Sequence, residues 1–500
     1  MDVKTILQKC NHTNHQQSKR ITILGAGIAG LVAAYELERL GHQVDVIEGS
    51  PRIGGRIWTH RFGCSPEASY GELGAMRISS DHKCVLHYIH TMGLSNKLCK
   101  FVTMFEEHNA LLSIQRKVFR MKNLTNRTLQ TCYQGLFMSK RYNKNTRLFA
   151  AWLKTIVDAI GSGELRKCLE QDLSSYLMDK LEMLDLQPFL NAEGKGIDLH
   201  EFIKAYPDFR EKCSKALALF LSDILVETSH DLLQLQGGMD QLTICLAKAI
   251  NSPIRCNQEV VRLKVLKDGV EVSWLEEGHL HTRHCDYVLC TIPFSVLKKI
   301  ELSGFDDKKL LAIYNTCYWP ATKVLFNCAR PFWQENGIFG GASFSDEGIR
   351  QVYYPSVKQS FSGESVLLAS YTIGDDAERL GMMSEQVRKV YVKNALGKLH
   401  PEIKIPGMIS GTATIAWNTY KWSAGGCSVP WKHDMSYEYR QYQDIARPQN
   451  TLFFAGEHCS RLPAWMEGSI ESALQAVHDI VFHKSLSLEK NTSPSLAILN

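Results

Sequence analysis

The sequence predicts a mixed α/β fold, and three observations carry that reading. Near the N-terminus an apolar strand runs into a glycine turn, an apolar helix and a second strand that ends on an acid. Farther on, short runs alternate or stay continuously apolar as strands do: Glu259–Val265, Asp286–Pro293, Thr322–Phe326 and Ser365–Tyr371. Between about 126 and 235 the spacing turns helical, with Leu173, Tyr176, Leu177, Leu181 and Leu184 three to four residues apart.

The first element reads Ile21-Thr22-Ile23-Leu24, then Gly25-Ala26-Gly27-Ile28-Ala29-Gly30, a helix closed by Gly41, and Val44-Asp45-Val46-Ile47-Glu48. Gly25 permits the tight turn, Gly27 lets backbone amides reach a pyrophosphate, and Gly30 lets the helix pack on the strand. The helix N-terminus favours a phosphate. Glu48 suits the two ribose hydroxyls and disfavours a 2′-phosphate. This is the Rossmann-like pattern in register, which a bare glycine triplet is not. FAD and NAD both remain open at this point.

Composition narrows the class. The 500 residues suffice for two to four domains at roughly 100–200 residues each. With 44% hydrophobic and 22% charged residues, the chain is neither disordered, collagen-like nor a coiled coil. Lys and Arg (57) exceed Asp and Glu (52) by only five, with no basic stripe, which argues against nucleic acid. The apolar stretch Ala216–Leu221 is cut by Ser222 and Asp223, far short of a membrane span. The polar first 20 residues lack a secretory apolar core. The sequons at Asn11, Asn123, Asn126 and Asn491 are therefore read as chance matches. Fifteen scattered cysteines without a Cys-x-x-Cys pair suit buried thiols in a reducing cytoplasm.

Four more segments add to this pattern. Gly54-Gly55-Arg56 follows the acidic strand and suits a second clamp on a pyrophosphate. Gly237-Gly238-Met239 precedes a helix, and Thr451–Glu457 is a strand ending at Ala455-Gly456-Glu457. Trp465–Ala473 then opens a helix whose N-terminus can face the pyrimidine edge of a flavin. Together with Gly25–Gly30 and Glu48, these motifs resemble the flavin-containing amine oxidase superfamily over about Arg20–Phe482, most closely its L-amino acid oxidases.

The resemblance implies FAD, held non-covalently, on Gly25, Gly27, Ala29, Gly30, Glu48, Gly55, Arg56, Gly74, Ala75, Met76, Arg77, the Val260 backbone, Gly456, Glu457, Trp465, Ser469 and Ile470. It implies interleaved domains: an FAD domain of 20–62, 236–303 and 446–485, a mixed-sheet substrate domain of 63–125 and 304–445, and a helical domain of 126–235. Residues 1–19 and 486–500 are expected to be flexible termini. A homodimer acting on an amino acid and oxygen is implied as well.

The segment Gly71-Glu72-Leu73-Gly74-Ala75-Met76-Arg77 addresses the substrate. By the resemblance it runs along the flavin ring, and its Gly-Ala-Met-Arg form resembles enzymes that bind an α-carboxylate. An arginine there makes two parallel charge-assisted hydrogen bonds; a purely structural ion pair is the alternative. Tyr353-Tyr354-Pro355 resembles a strand end whose tyrosine joins the arginine on the carboxylate. Alternation sends one tyrosine inward, and Tyr354 is expected to be that one. Trp465 matches an aromatic wall, with Ala464 beside it in the substrate set, and Lys323 matches the lysine that holds a water and assists reaction with oxygen. The plainer readings are a core tryptophan and a surface lysine.

Two features point elsewhere. Cys84, His87 and His90, with His82 nearby, suggest metal spacing, but positions i and i+6 leave one helix face and no fourth ligand presents itself, so no metal is expected. Gly425-Gly426-Cys427 resembles the flavin-linking cysteine of monoamine oxidases, yet counts one residue late from Trp417. The resulting expectation is oxidative deamination of L-amino acids to 2-oxo acids, ammonia and hydrogen peroxide. The alternatives are a monoamine or polyamine oxidase, an amide-forming monooxygenase, and a non-catalytic FAD scaffold.

Overall fold

The computed structural model describes residues 18–483 apart from 66–67, 104–105, 115–116, 139–140, 191–195, 215–216, 219, 222–230, 357–362 and 430–442. Most of both expected flexible ends, the sequons at Asn11 and Asn491, and the residues Ala216, Ser222 and Asp223 lie outside the described residues. The chain divides into two compact units: Met1–Gly55, Thr243–Thr316 and Asp434–Asn500 form the first, Arg56–Leu242 and Cys317–His433 the second. Among the described residues, no helix is long and apolar enough to cross a membrane.

The first unit holds a five-stranded parallel sheet in the order Ile254–Arg255, Gln43–Ile47, Arg20–Leu24, Tyr287–Cys290, Leu452–Phe454. Its central strands are buried nearly throughout, which explains their continuous apolar runs. Helices Ile28–Arg39 and Met466–Phe482 pack against each other. A second sheet runs His279–Cys285, Val270–Glu276, Glu259–Val265, Glu301–Ser303.

The second unit is built on a seven-stranded sheet ordered Ile409–Ala416, Ala321–Cys328, Ser365–Ile373, Arg350–Tyr353, Ala342–Ser345, Leu111–Ile114, Lys117–Arg120. All eight residues of Ala321–Cys328 are buried, so this strand is a fixed platform. Helix Lys144–Ile160 starts on Asn143, whose side chain accepts from the Thr146 amide, a cap worth about 1 kcal/mol. Its Phe149, Trp152 and Leu153 share one core with Leu73, Leu325 and Tyr353 of the same unit. Burying each such large side chain contributes about 1.5–3 kcal/mol.

Candidate functional site

The first unit carries a glycine turn at an uncapped helix N-terminus. Helix Ile28–Arg39 has Gly27 at its N-cap, no side-chain cap and no acid in its first turn, so its positive end is left for an external anion. A Cβ on Gly30 would lie 1.9 Å from the Gly25 carbonyl oxygen, which requires glycine for the turn to close. Gly27 faces bare backbone: a Cβ on Gly55 would come within 3.2 Å of the Gly27 Cα, and the Gly54 amide donates to the Ala26 carbonyl at 2.8 Å. Glu48 is buried, and its two oxygens accept from the Ala26 and Ser50 amides at 2.7 and 2.8 Å. Each oxygen keeps acceptor capacity for a ribose hydroxyl. A slot walled by backbone, a helix N-terminus and an oriented carboxylate fits a dinucleotide such as FAD.

The remaining predicted residues of this unit cluster in two places. Val260 is buried at a point where its strand slips register against Val270–Glu276, and the Gln258 amide donates to the Glu48 carbonyl at 2.9 Å. After strand Leu452–Phe454, Gly456 donates its amide to Ser472 Oγ at 2.9 Å. The Glu457 carboxylate accepts from the Ala464 amide at 3.2 Å. Trp465 is the N-cap of helix Met466–Phe482, with Ser469 and Ile470 buried in the first turns.

In the second unit, Leu73–Ala75 is fastened on both sides. The Leu73 amide donates to the Trp58 carbonyl (2.9 Å) and the Ala75 amide to the Arg56 carbonyl (3.1 Å). A Cβ on Gly74 would sit 2.0 Å from the Arg56 oxygen, so only glycine fits. Trp417 Nε1 donates to the Leu73 carbonyl at 3.0 Å, and Arg56 Nη1 to the Gly426 carbonyl at 2.9 Å. The Glu72 carboxylate accepts from the Met239 amide (2.8 Å) and from Thr59 Oγ1 (3.0 Å). Gly237-Gly238-Met239, expected in the FAD domain, therefore belongs to this unit. Dehydration of the Glu72 carboxyl pushes its pKa up to about 7.

Lys323 is buried on the platform strand, and its Nζ donates to the Gly74 carbonyl at 2.6 Å. Longer contacts reach the Glu72 carbonyl (3.4 Å) and Met76 Sδ (3.5 Å). Burial, then the positive charge of Arg77, pulls the Lys323 pKa down to about 7, opposed by Glu72. Arg77 is buried, and its Nη1 donates to the Tyr353 hydroxyl at 3.3 Å. The Tyr353 and Phe101 rings lie 5.9 and 6.0 Å from the guanidinium carbon.

The structure corrects the choice of tyrosine. Tyr354 points away from Arg77: its hydroxyl donates to Ser343 Oγ at 2.7 Å and meets His400 Nε2 at 2.8 Å. Val352 and Tyr354 share the core on that side, whereas Tyr353 faces the core that holds Met76. Tyr354 is therefore removed from the substrate and catalytic sets. Sequence reasoning also passed over Gln351, whose carboxamide oxygen accepts from the Tyr353 hydroxyl at 2.9 Å. Its only signal was the two-residue offset from Tyr353. Among Cys84, His87 and His90, Cys84 is buried and His90 is exposed beside Ser95 Oγ at 3.3 Å. Cys427 pairs with Trp319 in a short two-stranded ladder.

Residues 28–481 match the model of the flavin containing amine oxidoreductase family. The flavin-dependent L-tryptophan oxidase of Lentzea aerocolonigenes is 44% identical over 464 residues, covering 92% of this chain and 98% of that one. The L-amino-acid oxidase of Siganus canaliculatus is 29% identical over 502 residues, covering 99% and 90%. Among solved structures, putrescine oxidase bound to putrescine is similar at a TM-score of 0.64 and 18% identity, covering 93% and 99%, a likeness of fold alone.

Proposed function

The chain belongs to the flavin-containing amine oxidoreductase family, with FAD as its cofactor, and from that premise we propose that it oxidises L-amino acids. The products are a 2-oxo acid, ammonia and hydrogen peroxide. The observation that carries the reading is Arg77: a buried guanidinium beside Tyr353, in the same unit as the buried Lys323. A simple amine offers nothing for that guanidinium to bind. The relative from Lentzea aerocolonigenes is a tryptophan oxidase, which makes an indole-bearing amino acid the first substrate to test.

Each residue has a stated task. Arg77 holds the α-carboxylate and so orients the α-carbon, with Tyr353 bracing the guanidinium. Orientation of this kind is the main contribution a protein makes to such a reaction. The family resemblance assigns Ala464 and Trp465 to the substrate set. The glycine turn, Glu48 and Gly55 hold the cofactor, which when bound accepts the α-hydrogen with its electron pair and passes two electrons to oxygen. Lys323 supplies a donor for the oxygen step. The imino acid is then hydrolysed by water to the 2-oxo acid and ammonia.

Two expected outcomes check this. With L-tryptophan in air, hydrogen peroxide and ammonia appear in equal amounts together with the 2-oxo acid. Recovery of a carboxamide one carbon shorter would assign the protein to the monooxygenases instead. Trichloroacetic acid is expected to release the yellow cofactor into the supernatant, since FAD is held without a covalent bond. Colour that stays with the precipitate, on a peptide containing Cys427, would overturn the non-covalent assignment.

A further inference from the structure

Lys323 and Tyr371 stand opposite each other on neighbouring antiparallel strands, Ala321–Cys328 and Ser365–Ile373. Opposed residues share a face of the sheet. The Lys323 Nζ lies 4.8 Å from the centre of the Tyr371 ring, inside the reach of about 6 Å over which a ring face attracts a cation. The residue opposite Lys323 on its other side is Ile415, which offers neither charge nor lone pair. The hydrogen-bond acceptors around the ammonium all belong to one segment: the carbonyls of Gly74 and Glu72, and Met76 Sδ. The ring meets it from a different element. Tyr371 is also one of two residues of its strand that keep partial exposure, which a purely packing role does not require.

We propose that Tyr371 is a positioning residue whose ring face holds Lys323 as an ammonium. The inference rests on the reading of Lys323 as the donor for the oxygen step. A ring quadrupole attracts the cation and is nearly indifferent to the neutral amine, so it favours the protonated form. Burial strengthens the attraction, because little water competes for the charge. Two charged groups bear on the same nitrogen: Arg77 disfavours the ammonium and Glu72 supports it. Tyr371 therefore works with Glu72 against burial and Arg77, and does so without adding a second titrating charge at neutral pH.

The variants separate the ring from its hydroxyl. Tyr371→Leu removes the ring face. Tyr371→Met removes it with an unbranched chain and serves if the leucine variant fails to fold. Tyr371→Phe keeps the ring face and removes only the hydroxyl.

The first readout is folding stability of the holoenzyme, free of oxygen chemistry. Each protein is compared in Tm with the same protein carrying Lys323→Met, across pH. The unfolded lysine keeps its proton up to about 10.5, whereas the folded one gives it up earlier. The Tm difference therefore rises with pH from the folded pKa upward. The onset of that rise is expected about one pH unit lower in Tyr371→Leu or Tyr371→Met than in wild type. In Tyr371→Phe it is expected to stay at the wild-type pH. The second readout is the reaction of the reduced enzyme with oxygen. In Tyr371→Leu its pH break is expected to move down by the same interval, giving a rate about 10-fold lower on the alkaline side and an equal rate on the acid side. An onset that fails to move down in both Tyr371→Leu and Tyr371→Met overturns the proposal. So does an onset that moves equally in Tyr371→Phe, which would assign the effect to the hydroxyl. If the onset moves as expected but the oxygen reaction has no pH break, Tyr371 holds the ammonium and the reading of Lys323 as the oxygen-step donor falls.

Discussion

Arg77→Met is expected to lower kcat/KM for an L-amino acid by about 10- to 150-fold, the equivalent of losing roughly 1.5–3 kcal/mol of hydrogen bonding to a charged group. The guanidinium is buried beside the Tyr353 and Phe101 rings, so its interaction with a carboxylate is poorly screened. Methionine keeps much of the volume and removes the charge. Arg77→Lys is expected to recover only part of the loss, because an ammonium cannot form the planar fork. The loss is expected to be selective. The matching decarboxylated amine gains nothing from the arginine, and its ammonium form is repelled by it. Its kcat/KM should therefore stay level or rise. The measurement is kcat/KM for tryptophan and tryptamine on wild type and Arg77→Met, at matched flavin content. An equal fall for both substrates would show that Arg77 supports the flavin site and would bring the amine oxidase reading forward.

The tyrosine correction shows what the sequence holds and what it does not. Alternation states that one of Tyr353 and Tyr354 faces Arg77, but parity needs a fixed reference. That reference is set by pairing: the ladder between Arg350–Tyr353 and Ser365–Ile373 slips twice, once between Arg350 and Gln351 and again between Gln351 and Tyr353. Such irregularities arise from neighbouring strands and leave no mark in the local pattern. The partners of Tyr354 are equally remote in the chain, Ser343 and His400. By contrast, the strand–turn–helix–strand cradle was readable because every constraint on it is local. The Gly30–Gly25 approach, the Gly27 N-cap and the Glu48 strand end all fall within 24 consecutive residues. The fastening of Glu72 to Met239 spans 167 positions and was invisible for the same reason as the tyrosine.

Lys323→Met is expected to slow the reaction of the reduced enzyme with oxygen by about 10²–10³-fold, the usual loss when one pre-organised donor is removed from a site of developing negative charge. Anaerobic bleaching of the yellow colour by an amino acid is expected to change little. The split between the two half-reactions is the diagnostic. The ammonium group is also expected to show itself through pH. Burial first and Arg77 second bring the Lys323 pKa down to about 7, so the charge is present below that pH and lost above it. The wild-type oxygen reaction should therefore slow as pH rises through 7, while Lys323→Met shows no such break. In Arg77→Met a neighbouring positive charge is gone, so the break should move above 7. Folding stability offers a readout free of oxygen chemistry. Between pH 7 and the ordinary lysine value of 10.5, the unfolded chain binds a proton that the folded chain does not. Stability of the wild type relative to Lys323→Met should then rise with pH across that window, measured as the difference in Tm. Unchanged oxygen reactivity in Lys323→Met, with the Tm difference intact, would reduce Lys323 to a buried strut under the Gly74 carbonyl.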